Sequence, residues 1–249
     1  METKIYTIDS SVTAVVLTGG LGTRLRSVVA DRPKTMALVA GKPFLSYILD
    51  QLIEANVSTC KLCTGYMAEH VQEHFKDSYK ELKISYSIEQ ALLGTGGAVR
   101  FALKSISSEF VLVMNGDSYC ECNLAEFWKE HIKSGSLASM VVTEVPDTRR
   151  YGRVNIDSVG SITSFEEKGA ASGSGFINAG IYLLHRSLIE EFPAGRQLSL
   201  ERDLFPKLTD GRLHAFNKTS KFFIDIGTPE SFQIANKLFS ERRDFTMEG

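Results

Sequence analysis

The 249-residue sequence predicts an α/β protein. Its expected core is a Rossmann-like, mixed but mostly parallel sheet with helices on both faces, a three-layer sandwich. Three observations carry that expectation. Up to Val145, short apolar runs alternate with amphipathic segments, the βαβα rhythm of a doubly wound sheet. The run Phe110–Met114 is apolar on both faces, as in a strand covered on both sides. The polar and glycine-rich motifs follow such runs, at the strand ends where open α/β sheets bind ligands.

Thr13–Thr18 reads as the first strand. Phe44–Ala55 has apolar residues at 44, 45, 48, 49, 52 and 53, one face of a helix. Leu62 falls in a second strand. Met67–Tyr79 reads as helix, Ile84–Ile88 as strand and Ala98–Ser105 as helix. After Phe110–Met114 come a helix at Leu124–Ile132 and a strand at Leu137–Val145. The pieces then shorten, with strands at Gly152–Ile156, Ser161–Glu166 and Phe176–Leu184. Helices follow at Arg186–Phe192 and Leu200–Thr209, then a strand at Lys221–Ile226 and a last helix at Pro229–Phe239. No linker separates two domains. Gly169–Gly175 reads as a mobile loop, and residues 1–11 and 242–249 as loosely held polar tails.

Twenty-eight Lys and Arg against 30 Asp and Glu leave a net charge of −2, which argues against a general nucleic-acid binder. There is no run of about 18 apolar residues to span a membrane, and Met1-Glu2-Thr3-Lys4 lacks an apolar signal core. A cytoplasmic protein without membrane or nucleic-acid partners is expected. Cys60 and Cys63 form a CxxC, but on a strand residues three apart point to opposite faces. Buried, reduced thiols are the expectation there, not a shared metal.

The first strand runs into Gly19-Gly20-Leu21-Gly22-Thr23-Arg24-Leu25 and on to Pro33-Lys34. A glycine-rich loop after a buried strand can turn backbone N–H groups toward an anion. Arg24, Arg26, Arg32 and Lys34 against Asp31 give this loop a charge of +3 within an acidic chain, which points to a polyphosphate ligand. The loop is not GxxxxGK[ST], and the third glycine of a dinucleotide fingerprint is missing.

The pairing of Gly19–Leu25 with Arg32-Pro33-Lys34 resembles the sugar-1-phosphate nucleotidyltransferases. The resemblance runs from Val15 to Phe232. It includes Gly41-Lys42-Pro43, Leu93-Gly94-Thr95-Gly96-Gly97-Ala98, Asn115-Gly116-Asp117 and Tyr151-Gly152. It continues through Phe165-Glu166-Glu167-Lys168, Asn178-Ala179-Gly180 and Asp225-Ile226-Gly227-Thr228-Pro229. Within the family the chain is similar to the D-glycero-D-manno-heptose 1-phosphate guanylyltransferases, on Gly22–Val29, Gly41–Leu45, Leu93–Ala98 and Ser164–Lys168. Thr35 stands where the family usually has Pro, and Thr18 where it has Ala. Neither position needs to touch substrate, so the implied reaction class stands.

The resemblance implies transfer of a nucleoside monophosphate from a triphosphate, GTP in this branch, to a sugar 1-phosphate. D-glycero-α-D-manno-heptose 1-phosphate is the implied acceptor, pyrophosphate the by-product, and the nucleotide sugar would serve surface polysaccharide synthesis. The single domain, 1–249, then divides into a nucleotide-binding half (about 12–150) and a sugar-phosphate half (about 151–232). Both reactants are anions, so the main task is to neutralise their repulsion and align them. No covalent nucleophile is needed, and no Ser/His/Asp or Cys/His set stands out among the five histidines.

Asp117 and Asp225 are the implied Mg²⁺ ligands, because Mg²⁺ takes one or two carboxylates plus phosphate oxygens and water. Arg24, Lys34 and Asp117 are the implied catalytic residues, with the planar fork of Arg24 on the β- and γ-phosphates. Nucleotide contacts are implied at Leu17, Gly19, Gly20, Gly22, Thr23, Gly94 and Thr95. Sugar-phosphate contacts are implied at Gly152, Glu167, Lys168 and Asn178, with Lys168 on the phosphate. Arg26 and Arg32 are expected to face solvent or to steer. Glu89 stands where related thymidylyl- and uridylyltransferases often carry Gln. A carboxylate only accepts hydrogen bonds, which suits the adjacent N1–H and N2–H₂ donors of guanine and favours GTP.

Mannose 1-phosphate, and UTP or CTP, stay open as substrates, and a homodimer is a candidate assembly. Two other classes stay open. A GT-A glycosyltransferase normally shows Asp-x-Asp, which Asp117-Ser118-Tyr119 lacks. A catalytically silent nucleotide sensor on the same fold would have no need of Arg24, Lys34 and both aspartates.

Overall fold

The apolar run after Ser11 forms the strand at the middle of the sheet. The computed structural model describes Ile8, residues 11–170 and residues 172–247. The strands in chain order are β1 (Val12–Leu17), β2 (Leu38–Val39), β3 (Lys42–Pro43), β4 (Thr59–Thr64), β5 (Ser78–Tyr79), β6 (Leu82–Ile88) and β7 (Phe110–Asn115). They continue as β8 (Ser118–Cys122), β9 (Ala138–Val145), β10 (Val154–Ile156), β11 (Ile162–Phe165), β12 (Gly175–His185), β13 (Leu213–Phe216) and β14 (Thr219–Asp225). The α-helices are α1 (Phe44–Glu54), α2 (Ala68–Phe75), α3 (Gly94–Ala102), α4 (Leu124–Ser134), α5 (Arg186–Glu190) and α6 (Pro229–Met247).

The main sheet has the order β11-β10-β12-β7-β1-β4-β6-β5, with β9 on β12 and β13 on β9. β7, β1, β4 and β6 run parallel. β12 enters antiparallel beside β7 and carries β9 and β10 with it. β8 and β14 form a separate antiparallel pair.

Side chains of β1 alternate between two apolar layers. Ala14 and Val16 pack with α1, α2, α4 and α6 through residues such as Leu45, Phe75, Phe127 and Phe239. Val15 faces the other layer, with Val99 of α3, Ile189 of α5 and Phe205. Each such fully buried aliphatic side chain contributes about 1.5–3 kcal/mol. The two layers also separate the CxxC thiols: Cys60 packs in the first and Cys63 in the second. Burial pushes the Cys63 thiol up to about 12, so it stays protonated and inert.

Several elements differ from the sequence expectation. The helix expected over Met67–Tyr79 stops at Phe75. Lys76 and Lys80 take positive φ, 50° and 51°, and Ser78–Tyr79 turns back to pair with Leu82 and Lys83. The stretch Leu200–Thr209 is not an α-helix. It forms a π turn (Leu200–Leu204) and a 3-10 turn (Phe205–Leu208), since Pro206 has no N–H to continue a helical ladder. β8 and β13 were not expected. The last helix runs to Met247, through part of the expected polar tail. The expected tail at residues 1–11 lies outside the described residues apart from Ile8 and Ser11, as do residues 248–249. Ala171, in the expected mobile loop, also lies outside them. Beside it, Arg153 donates to the carbonyls of Ser172 and Ser174 at 2.9 and 3.2 Å, so these residues are tied down. No helix among the described residues is long and apolar enough to cross a membrane.

His131 of α4 is 1% exposed. Its Nδ1 lies 2.8 Å from Ser139 Oγ, and its ring stacks on Trp128. Burial pushes its pKa down to about 4. Below pH about 6.5 the unfolded chain takes up a proton that the folded chain refuses. This part of the stability is therefore complete above about pH 6.5 and falls as the pH drops toward 4. Urea unfolding at pH 7.5 and pH 5 should show wild type losing about 2 kcal/mol more than His131→Gln. Equal losses would disprove the assignment.

Candidate active site

The parallel strands β1, β4, β6 and β7 end on one edge of the sheet, and the residues there line a cavity of about 360 Å³. Leu17, Thr18, Gly19, Gly20 and Leu21 enter it from β1, and Lys34 and Thr35 from the far end of the same loop. Cys63 comes from β4, Glu89 follows β6, and Asn115 and Asp117 come from β7. Leu92, Gly94, Thr95 and Ala98 come from the start of α3, and Gln197 from a distant segment. Of the residues singled out in the sequence, Leu17, Gly19, Gly20, Lys34, Glu89, Gly94, Thr95 and Asp117 therefore meet in one cavity. Gly22, Thr23 and Arg24 do not line it. Thr18 and Thr35, the two departures from the family pattern, also line it.

Close backbone packing sets the shape of the cavity. The Cα of Gly19 passes Gly65: a Cβ on Gly19 would lie 3.3 Å from Gly65 N and 3.5 Å from Glu89 Oε1. Glu89 is half-buried, and Leu93 N–H donates to its Oε2 at 3.0 Å. Burial raises its pKa.

Gly94 opens α3 at φ +71°, and a Cβ there would sit 2.5 Å from Leu198 O. The N–H groups of Gly96 and Gly97 both donate to Leu198 O, at 2.9 and 3.2 Å. These first-turn amides, free in most helices, dock the segment around Leu198 instead of facing a phosphate. The Thr95 hydroxyl donates to Glu201 Oε2 at 2.7 Å. The Tyr182 hydroxyl donates to Glu201 Oε1 at 3.2 Å, and Asn178 Nδ2 donates to Tyr182 at 2.9 Å. One chain of hydrogen bonds thus joins Thr95 to Asn178, whose own Oδ1 accepts from Gly180 N at 2.8 Å.

Asp117 and Asp225 sit on neighbouring elements. Asp225 ends β14 opposite Ser118 of β8, and Ile226 N donates to Asp117 O at 3.0 Å. The ammonium of Lys34 pairs directly with Asp117. Arg150 pairs with Asp225 at 2.8 Å, and the Tyr151 hydroxyl and Gly227 N donate to it at 2.9 and 2.8 Å. Arg24 is exposed and turned toward this end: its Nη2 lies 3.7 Å from where a Gly227 Cβ would be. Among the described residues no group of three or more His, Cys, Asp or Glu converges as a metal cage.

Gly152, Glu167 and Lys168 share a second locus. Gly152 has φ +82°, and a Cβ on it would come within 2.6 Å of Glu166 O. Gly169 N donates to Arg149 O at 3.0 Å. The turn at 149–152 therefore lies against the turn at 166–169, where Glu167 and Lys168 are exposed. From the same turn Arg150 and Tyr151 reach Asp225, which links this locus to the carboxylates.

Sequence reasoning assigned no individual role to Asn115, Gln197, Arg150 or Glu201. Asn115 stands two residues before Asp117, where its position was readable. Gln197 and Glu201 reach the site only through the docking of Leu198. That docking generates a test. Gly94→Ala would meet both a left-handed backbone and the Leu198 carbonyl, and should destabilise the protein by about 2 kcal/mol or more. Urea unfolding that leaves its midpoint unchanged would contradict the described turn.

The nucleotidyl transferase family profile matches residues 13–242. D-glycero-alpha-D-manno-heptose 1-phosphate guanylyltransferase of Campylobacter jejuni is 38% identical over 88% of this chain and 96% of its own length. Mannose-1-phosphate guanylyltransferase of Mycobacterium tuberculosis is 34% identical over 89% of this chain but only 62% of its own length. HddC from Yersinia pseudotuberculosis superimposes with a TM-score of 0.81 at 39% identity, covering 91% of this chain and 99% of HddC. The HddC complex with GMP-PN gives 0.80 at 38% identity, with the same coverage. The match spans the glycine loop, both carboxylates and the sheet that presents them, and the chain belongs to the nucleotidyl transferase family.

Proposed function

We propose that this protein transfers GMP from GTP to D-glycero-α-D-manno-heptose 1-phosphate, releasing pyrophosphate and forming a GDP-sugar. The observation that carries the reading is the pair of charged groups set along one glycine loop. Glu89 lies beside Gly19, and the Lys34–Asp117 pair lies beside Gly22, where a Cβ would be 3.1 Å from Lys34 Cβ. An acceptor-only carboxylate suits guanine, and a cation with a carboxylate suits a triphosphate and its counterion. The heptose guanylyltransferase of Campylobacter jejuni, matched over nearly its whole length, and the GMP-PN complex of HddC support both halves of the assignment. GTP is a cytoplasmic metabolite, which supports a cytoplasmic site of action.

The chemistry requires alignment and charge neutralisation, not a covalent intermediate. A phosphate oxygen of the sugar phosphate attacks the α-phosphorus in line, and pyrophosphate leaves. That oxygen is already ionised at neutral pH, so no general base is needed. Leu93 N–H fixes Glu89 Oε2 and leaves Oε1 to accept from the guanine edge. Lys34, at the glycine loop, and Arg24, above Gly227, supply positive charge for the triphosphate and the departing pyrophosphate. Lys168 takes the phosphate of the sugar, and Glu167 and Asn178 take its hydroxyls. Asp117 and Asp225 would hold Mg²⁺. The fit is good because two carboxylates on adjoining elements are what Mg²⁺ takes from protein when phosphates and water complete its shell. Bound there, the ion would supply positive charge against the reacting phosphates.

The test is a pyrophosphate-release matrix of four triphosphates against a panel of sugar 1-phosphates. GTP with the heptose 1-phosphate should give the highest kcat/KM. A higher value with mannose 1-phosphate would move the acceptor assignment, and no release with any pairing would overturn the reading. Glu89→Gln should reduce the preference for GTP by about 10- to 100-fold, the scale of one hydrogen bond from a charged group. An unchanged preference would remove Glu89 from base recognition.

A further inference from the structure

Thr35 follows Lys34 in the short 3-10 turn Lys34–Met36. It is 3% exposed and lines the cavity. Its Oγ1 has no hydrogen-bond partner in the protein. Its methyl group has a packing role: Cγ2 lies 3.0 Å from where a Gly116 Cβ would be, against the turn that carries Asp117. Valine would supply that methyl without leaving a hydroxyl unpaired. Thr18 provides the contrast. It flanks the same glycine, with Cγ2 at 3.2 Å, yet its Oγ1 donates to Cys63 O at 2.8 Å. One threonine hydroxyl beside Gly116 is satisfied by the fold and the other is not.

A buried polar group without a partner works against folding. A second residue of the same lining shares this property, because the Oδ1 of Asn115 is also buried and unpartnered. Two residues of this wall, Thr35 and Asn115, thus carry an oxygen that the fold leaves unmatched. The wall adjoins Lys34 and Asp117, whereas Glu89 marks the part of the cavity assigned to the base.

We propose that Thr35 is a nucleotide ligand whose hydroxyl donates a hydrogen bond to a phosphate oxygen of the bound triphosphate. The proposal rests on the nucleotide reading given above. It makes opposite demands on stability and affinity, which a packing role would not. Calorimetric titration of the full chain with GTP and with guanosine, and melting of the ligand-free protein, would be compared for wild type, Thr35→Val and Thr35→Ser.

Thr35→Val should weaken GTP binding about five- to tenfold, leave guanosine binding unchanged and melt no lower than wild type. Thr35→Ser should keep GTP affinity within about twofold of wild type. GTP binding by Thr35→Val as tight as wild type would overturn the proposal, as would an equal loss for guanosine or a lower melting temperature for the valine variant. The two readings fail separately. If wild type prefers another triphosphate, the guanine assignment falls, and the valine-to-wild-type ratio on that triphosphate still decides Thr35. If wild type binds no triphosphate, both fall.

Discussion

Four parallel strands held in register determine where this protein can place polar groups. Leu17 pairs with Cys63 on one side and Asn115 on the other, and Thr64 lies beside Ile88. β1 and β7 are covered on both faces, so a polar side chain within them would be buried without water. Their carboxyl ends are the first positions where the chain can turn polar, and the register brings those ends level. The glycine loop, Glu89 and Asp117 are neighbours for that reason, although they lie far apart in sequence. The β8–β14 pair extends the arrangement by laying Asp225 against the residues that follow Asp117.

Charge is balanced locally on this edge. Asp117 has Lys34, and Asp225 has Arg150 with the Tyr151 hydroxyl. Partly buried carboxylates need such partners. Under the function proposed above, the same cations would meet the incoming phosphates. An anionic substrate arriving with its counterion would then exchange one set of paired charges for another. The turn at 149–152 matters here because it touches both the turn at 166–169 and Asp225.

Much of this was readable from sequence because it rests on local signals. The apolar runs of β1 and β7, the apolar face of α1 and the motifs after the strands all declare themselves within a few residues. What was not readable depends on distant partners. β8 has the sequence Ser-Tyr-Cys-Glu-Cys, with no apolar alternation of its own, and becomes a strand through β14. Lys76 gives no residue-type warning that it will take a left-handed backbone and end α2. Thr18 and Thr35 look incidental in the chain, and only the fold shows both against Gly116 on the cavity wall. Gln197 and Glu201 belong to the site through a carbonyl, and backbone carbonyls leave no trace in a sequence.

That carbonyl has a consequence for how the protein is made. Leu198 O receives the amides of Gly96 and Gly97, roughly a hundred residues upstream, and contacts of that span form late because a long loop must close first. A chain growing from its N-terminus would have the glycine loop and the central strands well before it has Leu198. Until then the first turn of α3 lacks its acceptor, and the cavity lacks one wall. The cavity is thus completed only once Leu198 has been made and has met Gly96 and Gly97.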